Sequence, residues 1–192
     1  DNFKLIELEK VHRQKEGAFI NVLNTIREGN ASSESLAVLN QRVGEPPQNE
    51  HCIILTPTRA LADAINREKL HNLPGNSITY KAIMLGDFDK LMEKNETPDF
   101  PVEKDLELRI GAKIIMMMND KDKRWVNGTM GSVEALSNDK IEVRIGNNVY
   151  SVDKHTWSKY KYIYNHATKK LTRQETGSFT QYPIALAYAI TI

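Results

Sequence analysis

Two continuous apolar runs constrain the fold of this chain more than any other feature. They are "CIIL" at residues 52–55 and "IALAYAITI" at residues 184–192. Apolar runs without alternation are typical of strands that are covered on both faces, as in a parallel sheet. A Thr-rich turn and a helical pattern follow the first run, which together make half of a βαβ unit. We therefore expect residues 184–190 to be largely buried beside "CIIL" in a parallel sheet, with Cys52 as a small buried hydrophobe.

Helical periodicity appears in three places before the middle of the chain. The first helix is predicted in "EGAFINVLNTIREG", ending at Gly29, and the second in "SSESLAVLNQRVG", ending at Gly44. The third is "RALADAINREKL", for which Thr58 is the predicted N-cap. The apolar positions expected to face inward are Phe19, Val22, Leu23, Ile26, Leu36, Leu39, Val43, Leu61, Ala64 and Ile65.

Short strands and tight turns replace this pattern after about Lys113. "SVEAL", "KIEVRI" and "NVYSV" are strand-like, and "GNN" between the last two indicates a hairpin. Such a series is typical of a small β-barrel. Because the last apolar run resumes the buried-sheet pattern, the sequence predicts an α/β domain with an inserted all-β piece. The expected boundaries are 1–118 for the first α/β part, 119–180 for the insert and 181–192 for the returning strand.

Several functional classes are excluded by the composition. The apolar run of residues 184–192 is far short of the roughly 20 residues that span a bilayer, so no membrane anchor is expected. A single cysteine excludes a disulfide framework and favours a reducing, cytoplasmic compartment. No GxxxxGK[ST] or GxGxxG occurs, and the dispersed His residues predict no metal site. The bare apolar end, and a start without Met or signal peptide, are expected for a piece of a longer protein.

Charge is concentrated in one block although the formal net charge is only +1. Residues 154–173 contain six Lys or Arg and no Asp or Glu, and the rest of the chain carries 20 basic and 25 acidic residues. Basic residues alternate there with aromatic ones in "HTWSKYKYIYNHATKK". This segment is either a barrel strand with its Tyr face in the core, or a platform for single-stranded nucleic acid. The two interpretations are compatible if one face is core and the other binds DNA.

Two further segments have both a structural and a functional interpretation. "NDKDKRWVNGTMG" is either an exposed hairpin loop that turns at Asn127–Gly128, or a nucleic-acid-contacting loop. In the second case Lys121, Lys123 and Arg124 meet phosphates and Trp125 stacks on a base. Arg13, at a strand–helix junction, either pairs with a neighbouring Glu or reaches a phosphate on an adjoining domain.

Four stretches, taken in order, resemble the RecD/Pif-type DNA helicases of superfamily one. They are "HRQKEGAFINVLNTIREG", "IILTPTRALADAINREKL", "LRIGAKIIMMMNDKDKRWVNGTMGSV" and "QYPIALAYAITI". The resemblance implies a second RecA-like domain that carries an inserted SH3-like β-barrel. It further implies that ATP and Mg²⁺ are bound mainly by a first RecA-like domain that this chain lacks. We therefore expect no cofactor and no ATPase activity in these 192 residues alone.

Site residues follow from the same resemblance. Arg13 is implied to contact the γ-phosphate of ATP, with Gln14 in support. The residues implied to contact DNA are Thr56, Thr58, Lys123, Arg124, Trp125, Asn127, Lys159, Lys161 and Thr191. The resemblance implies a piece of an ATP-dependent DNA helicase, 5′→3′ in polarity, that translocates on single-stranded DNA. The alternatives are a non-catalytic nucleic-acid-binding module and a protein-interaction domain.

Overall fold

A computed structural model of the chain describes residues 16–41, 43–44, 52–88, 100–165 and 169–191. The chain divides into two compact units, Asp1–Glu50 and His51–Ile192. The first contains α1 (Gly17–Arg27) and α2 (Ser33–Asn40). Gly29 adopts a positive φ of 73° directly after α1, which confirms the predicted stop. α2 ends at Asn40, before the predicted Gly44, so Val43 lies outside the helix and is exposed.

The described part of the second unit contains one helix and strands that form four small sheets. In chain order its elements are β1 (Ile54–Thr56), α3 (Arg59–His71), β2 (Ile78–Lys81), β3 (Ile83–Gly86), β4 (Asp105–Leu108), β5 (Lys113–Met116), β6 (Met130–Leu136), β7 (Ile141–Ile145), β8 (Asn148–Val152), β9 (His155–Asn165), β10 (Lys170–Gln181), β11 (Ile184–Leu186) and β12 (Ala189–Thr191). β1 and β12 pair in parallel. The antiparallel sheets are β2–β4, β3–β10–β9 and β11–β5–β6–β7–β8.

The parallel pairing of the two apolar runs is confirmed, but only in part. β12 pairs with β1 in the register Ile54↔Ala189, Leu55↔Ile190 and Thr56↔Thr191. The earlier half of the second run forms β11, which pairs antiparallel with β5 instead. The run therefore makes two strands rather than one, because the backbone turns between Leu186 and Ala189.

The expectation that "CIIL" is covered on both faces is wrong for the part of the chain that the structure describes. Leu55 is 60% exposed, and Cys52 is exposed as well. Within the described ranges β1 pairs only with β12, and α3 is the element that packs against these two strands. One side of β1 is therefore left open, which the composition of the run did not indicate.

α3 begins at its predicted N-cap but turns a different face inward. The Thr58 hydroxyl accepts a hydrogen bond from the backbone N–H of Leu61. The buried residues are Ala62 and Leu70, which lie with Asn66 on one stripe at a spacing of four. The predicted inward position Leu61 is 47% exposed. The apolar pattern did not identify the buried face of α3, because a polar residue, Asn66, occupies the middle of the buried stripe.

Asn66 explains why the second apolar run bends. Its side-chain oxygen accepts hydrogen bonds from the backbone N–H groups of Tyr188, at 3.1 Å, and Ala189, at 2.9 Å. Its side-chain nitrogen donates to the carbonyl of Ala189 at 2.8 Å. The amide thereby satisfies backbone groups where β11 has ended and β12 begins, and it fixes α3 to that bend.

Gln181 plays the corresponding role at the other end of this segment. It is fully buried at the end of β10. Its Nε2 donates to the carbonyls of Tyr80 at 2.8 Å and Lys104 at 3.1 Å, which lie in β2 and just before β4. Its Oε1 accepts from the N–H of Tyr182 at 3.0 Å. One side chain thus joins the β2–β4 sheet to the strand that leads into β11.

Two buried tyrosines next to Gln181 extend this connection to the turn between β6 and β7. The Tyr80 hydroxyl donates to the carbonyl of Ser137 at 2.6 Å, and the Tyr182 hydroxyl donates to the carbonyl of Asp139 at 2.7 Å. The rings meet edge to face with centroids 5.1 Å apart. Burial raises the pKa of the Tyr80 phenol to about 12, so this group stays a donor throughout the neutral range.

We predict that Gln181→Ala destabilises the second unit by about 2–4 kcal/mol, because it removes three hydrogen bonds within a fully buried site and opens a cavity. Urea unfolding at neutral pH measures the change in the free energy of unfolding. Gln174→Ala, at an exposed position of the same strand, is the matched control and should change it by less than about 0.5 kcal/mol. Equal effects of the two substitutions would contradict the role of Gln181.

Candidate nucleic-acid interface

A cleft of about 580 Å³ lies beside β12 and the first turns of α3. Asn127 and Thr191, both predicted DNA contacts, line it together with Arg59. Thr191 pairs with Thr56 at the carboxyl end of the parallel β1–β12 pair. Ligands of α/β folds bind at the carboxyl ends of parallel strands. The structure therefore brings Thr56, Asn127 and Thr191, which are far apart in sequence, to one region.

The two threonines of the "TPT" turn are engaged with the backbone. The Thr56 hydroxyl is buried and donates to the carbonyl of Thr58 at 3.0 Å. The Thr58 hydroxyl accepts from Leu61 as the cap of α3, and Thr58 itself is exposed. Thr58 therefore retains a hydroxyl proton that can meet a phosphate, whereas Thr56 shapes the turn from within.

The loop before β6 turns at Asn127–Gly128, as the structural interpretation predicted. Gly128 has a φ of 88°, and its N–H donates to the carbonyl of Met116 at 2.8 Å. The N–H of Asn127 donates to Oδ1 of Asn119 at 2.7 Å. These bonds hold the Asn127 side chain at the edge of the cleft.

An ion pair organises the first half of the same loop. Oδ2 of Asp120 accepts from Nε of Arg124 at 2.8 Å, and Oδ1 accepts from Nη2 at 2.6 Å. The carboxylate also accepts from the backbone N–H groups of Asp122 and Arg124. These donors, the guanidinium above all, lower the pKa of Asp120 to about 2 although the side chain is only 5% exposed.

The predicted DNA contacts of Arg124 and Trp125 do not agree with this geometry. Arg124 directs two of its nitrogens at Asp120, and its guanidinium lies 4.6 Å from the centroid of the Trp125 ring. Trp125 is 6% exposed and packs against Tyr150, with ring centroids 5.8 Å apart. A ring covered in this way offers no open face to a base. In contrast Lys123, in the same loop with a φ of 59°, is exposed.

The long β9–β10 hairpin continues beyond the sheet that holds its base. β3 pairs with β10 only over residues 177–180, and a bulge between Glu175 and Gly177 follows. We call residues 159–165 and 170–175 the distal ribbon. Within the described residues no strand pairs with either of its outer edges. It contains four basic residues and one acidic residue, which are Lys159, Lys161, Lys170, Arg173 and Glu175.

The base of the hairpin is held in place by aromatic packing and by the close approach of β3 at Gly177. Phe179 is fully buried and stacks on Phe100 at a centroid distance of 5.2 Å, with Trp157 at 5.9 Å. A methyl group on Gly177 would lie 2.7 Å from the Asp87 nitrogen and from the Leu85 oxygen, closer than packing permits. β3 and β10 therefore approach here as only glycine allows.

The interpretation in which the Tyr face of this segment is core is wrong. Tyr160, Tyr162 and Tyr164 share one face of β9 by the period-2 rule, and all three are exposed. Lys159 and Lys161 lie on the alternate positions and are exposed too. The core side of the hairpin lies only at its base.

Arg13 and Gln14 lie outside the described residues. Among those that are described, no group of three His, Cys, Asp or Glu side chains could hold a metal ion. Nor does any described helix have the length and apolar character needed to cross a bilayer.

Residues that the sequence interpretation missed are Asn66, Gln181 and Asp120. Asn66 and Gln181 stand within the motifs quoted above, "RALADAINREKL" and "QYPIALAYAITI", but no role was assigned to them. A polar residue at the centre of an apolar stripe, or directly before one, is the signal that could have identified them.

Comparisons with known proteins give the same family as the motifs. The ATP-dependent DNA helicase Pif1 of Bdellovibrio bacteriovorus is 28% identical over 192 residues, which are 99% of this chain and 41% of the relative. Its counterpart from Campylobacter jejuni is 27% identical over the whole chain. The crystal structure of Bacteroides sp. Pif1 in complex with ADP-AlF4 superposes with a TM-score of 0.74 at 32% identity. The chain is a homologue of part of the Pif1 helicases.

These superfamily-one relatives are much longer than the chain. The Bacteroides comparison covers 95% of this chain and 41% of that protein, so the chain spans less than half of the relatives it matches. The same Bacteroides Pif1 bound to ssDNA gives a TM-score of 0.66 at 31% identity. Pif1 of Candida albicans, at 20% identity and a TM-score of 0.67, shares the fold. No protein-family model matches the chain.

We predict that Asp120→Asn destabilises this Pif1 homologue by about 2 kcal/mol at pH 7. Because the folded pKa of about 2 lies below the ordinary value of 3.8, the stabilisation is complete above about pH 5 and is lost progressively as the pH falls toward 2. Denaturant unfolding of both proteins between pH 7 and pH 2 measures this difference, which should shrink over that window.

Asp122→Asn is the matched control, because that carboxylate is exposed and lies 3.9 Å from Arg124. It should change the free energy of unfolding by less than about 0.5 kcal/mol. A difference between wild type and Asp120→Asn that stays constant from pH 7 to pH 2 would refute the assignment of the stabilisation to this ionised pair.

Proposed function

We propose that this chain is part of an ATP-dependent DNA helicase and that its second unit holds single-stranded DNA. The observation that carries the proposal is the distal ribbon, whose side chains are exposed and whose charged residues are four basic and one acidic. Clustered Lys and Arg neutralise phosphates, and aromatic residues between them suit unpaired bases. Relatives that match nearly the whole chain are ATP-dependent DNA helicases, which supports the same assignment.

The architecture within this proposal is a RecA-like domain with an SH3-like insert. Residues 1–118 and 181–192 form the RecA-like part and residues 119–180 the insert. The parallel β1–β12 pair, with α3 following β1, supports the first assignment. The antiparallel series β6–β7–β8 supports the second. The sheet that contains β6–β8 also includes β5 and β11 from the flanking parts, so the insert shares its sheet with the domain that carries it.

ATP would be bound between this chain and another RecA-like domain of the same protein. Arg13 is the residue proposed to contact the γ-phosphate, with Gln14 supporting it, and the other domain would hold Mg²⁺ and most of the nucleotide. A guanidinium supplied from a second domain stabilises charge on the transferring phosphoryl group. Translocation with 5′→3′ polarity belongs to that whole protein and not to these 192 residues alone.

The proposed DNA contacts fall into two sets. Thr58, Asn127 and Thr191 lie at or near the cleft beside β12, where short polar side chains can meet the backbone of a strand. Lys123, Lys159 and Lys161 are exposed cations outside the cleft. Thr56, Arg124 and Trp125 support the interface from within, since their polar groups or rings are used inside the protein.

We predict that the double variant Lys159→Ala, Lys161→Ala weakens binding to a fluorescent single-stranded oligonucleotide and reduces its salt dependence. Each lost phosphate contact on a single strand lowers the slope of log K against log salt by about 0.7. Fluorescence anisotropy at several salt concentrations measures both quantities. The double variant should therefore lower the slope by about 1.4.

The control pair Lys69→Ala, Lys140→Ala removes the same charge outside the ribbon, at the end of α3 and in the β6–β7 turn. It should leave the slope nearly unchanged. A wild-type chain that binds no single strand at low salt, or control and ribbon variants with equal slopes, would contradict the proposed function.

A further inference from the structure

The two faces of the distal ribbon differ in chemistry, and only the register of β9 with β10 reveals it. Directly opposed residues of antiparallel strands share a face. Tyr160, Tyr162 and Tyr164 oppose Glu175, Arg173 and Leu171. The other face carries Lys161, Ile163 and Asn165 opposite Gln174, Thr172 and Lys170. One face is thus an aromatic stripe that includes the cation of Arg173. The other face consists mainly of polar and basic residues.

The aromatic stripe is open to solvent. Tyr162 is 65% exposed and Leu171 67%, and Tyr164 is exposed beside them. Contiguous apolar surface of this kind marks an interaction site in soluble proteins. Because the ribbon has two exposed faces, it has no core of its own to which these rings could contribute.

Arg173 stacks on one of the rings and adds a cation to the aromatic stripe. Its guanidinium carbon lies 3.3 Å from the centroid of the Tyr160 ring. A guanidinium stacked on one face by tyrosine still has its second face and its edge donors to offer. Aromatic rings two residues apart in a strand are roughly 7 Å apart, since a strand rises about 3.4 Å per residue. That spacing suits bases which have been drawn apart along an extended strand.

We infer that the tyrosine face of the distal ribbon, with Tyr162, Tyr164 and Arg173 at its centre, is a stacking platform for the bases of single-stranded nucleic acid. The inference rests on the proposed function and adds the face and the chemistry of contact. Charge complementarity selects the occupant, because the ribbon carries four basic residues against one acidic one. Lys159 and Lys161 extend from β9, the edge strand, where their long side chains can reach a phosphate backbone at the rim of the platform.

Stacking on tyrosine predicts recognition without sequence preference. Every base has a π-face, so binding should depend weakly on base identity and strongly on whether the base is unpaired. A duplex hides its base faces and presents only its backbone and groove edges. The platform should therefore discriminate single strands from duplexes, which a purely electrostatic surface does not do.

The test is the affinity of the full 192-residue chain for a fluorescent dT 20-mer and for a blunt 20-bp duplex at fixed salt. Tyr162→Ala should weaken single-strand binding about tenfold. Tyr162→Phe should restore it, because the ring and not the hydroxyl makes the contact. Ile163→Ala, at an exposed apolar position on the opposite face, is the matched control and should change the affinity less than about twofold.

The salt dependence separates this inference from the proposed function. Tyr162→Ala should lower the affinity at every salt concentration and leave the slope of log K against log salt unchanged, because no phosphate contact is lost. If the wild-type chain binds single strands with a strong salt dependence but Tyr162→Ala is neutral, the platform is refuted while the proposed function stands. If the wild-type chain binds no single strand, both are refuted.

Two other outcomes would also overturn the inference. Tighter binding of the duplex than of the dT 20-mer would assign the ribbon to a groove or backbone contact instead of base stacking. Sedimentation that shows a dimer lost in Tyr162→Ala, with single-strand affinity unchanged, would assign the tyrosine face to contact between two copies of the chain. Circular dichroism of each variant confirms that the fold is retained, and Tyr162→Phe supplies the same check within the binding assay.

Discussion

The buried amide of Gln181 is the interaction on which the arrangement of the second unit depends. It lies where three structures meet: the end of the long hairpin, the β2–β4 sheet and the segment that becomes β11 and β12. The amide makes hydrogen bonds to two carbonyls and one N–H at once, and because Gln181 is fully buried its own polar atoms depend on these partners. A few residues after Gln181, at the start of β12, the backbone makes similar hydrogen bonds to the side chain of Asn66 in α3. The two amides set the course of the chain from the hairpin to the parallel pair.

This course places the two candidate DNA-contacting regions on a common support. Thr191 reaches the cleft because β12 is fixed between β1 and α3. The distal ribbon extends from a base that aromatic packing around Phe179 and the close approach at Gly177 hold in place. A binding surface that extends from a well-packed scaffold is a common arrangement in binding proteins, because the scaffold supplies stability that the exposed, charged surface itself cannot.

Much of the fold could be predicted from the sequence. The strands β6, β7 and β8 follow from alternation and turn residues, α3 follows from its cap, and the parallel partners follow from two apolar runs. The inward face of α3 and the break in the second run could not be predicted, because in both cases Asn66 decides the outcome through hydrogen bonds to residues more than 120 positions away. The burial of Trp125 could not be predicted for a similar reason. Arg124 pairs with Asp120 and lies over the Trp125 ring, and these tertiary contacts are not evident from the local sequence. Local patterns report propensity, whereas polar groups within a core act through tertiary contacts.

The claim at the centre of this account is that the described part of the chain holds an unpaired nucleic-acid strand at the ribbon and at the cleft. Photo-crosslinking of a single-stranded oligonucleotide that carries 5-iodouracil, followed by mass spectrometry of the peptides, locates the contacts directly. The account predicts crosslinks to Tyr162 or Tyr164 and to the peptide that contains Asn127, and their loss when unlabelled single strand competes. Crosslinks confined to α1 and α2, or distributed over the surface without competition, would contradict it.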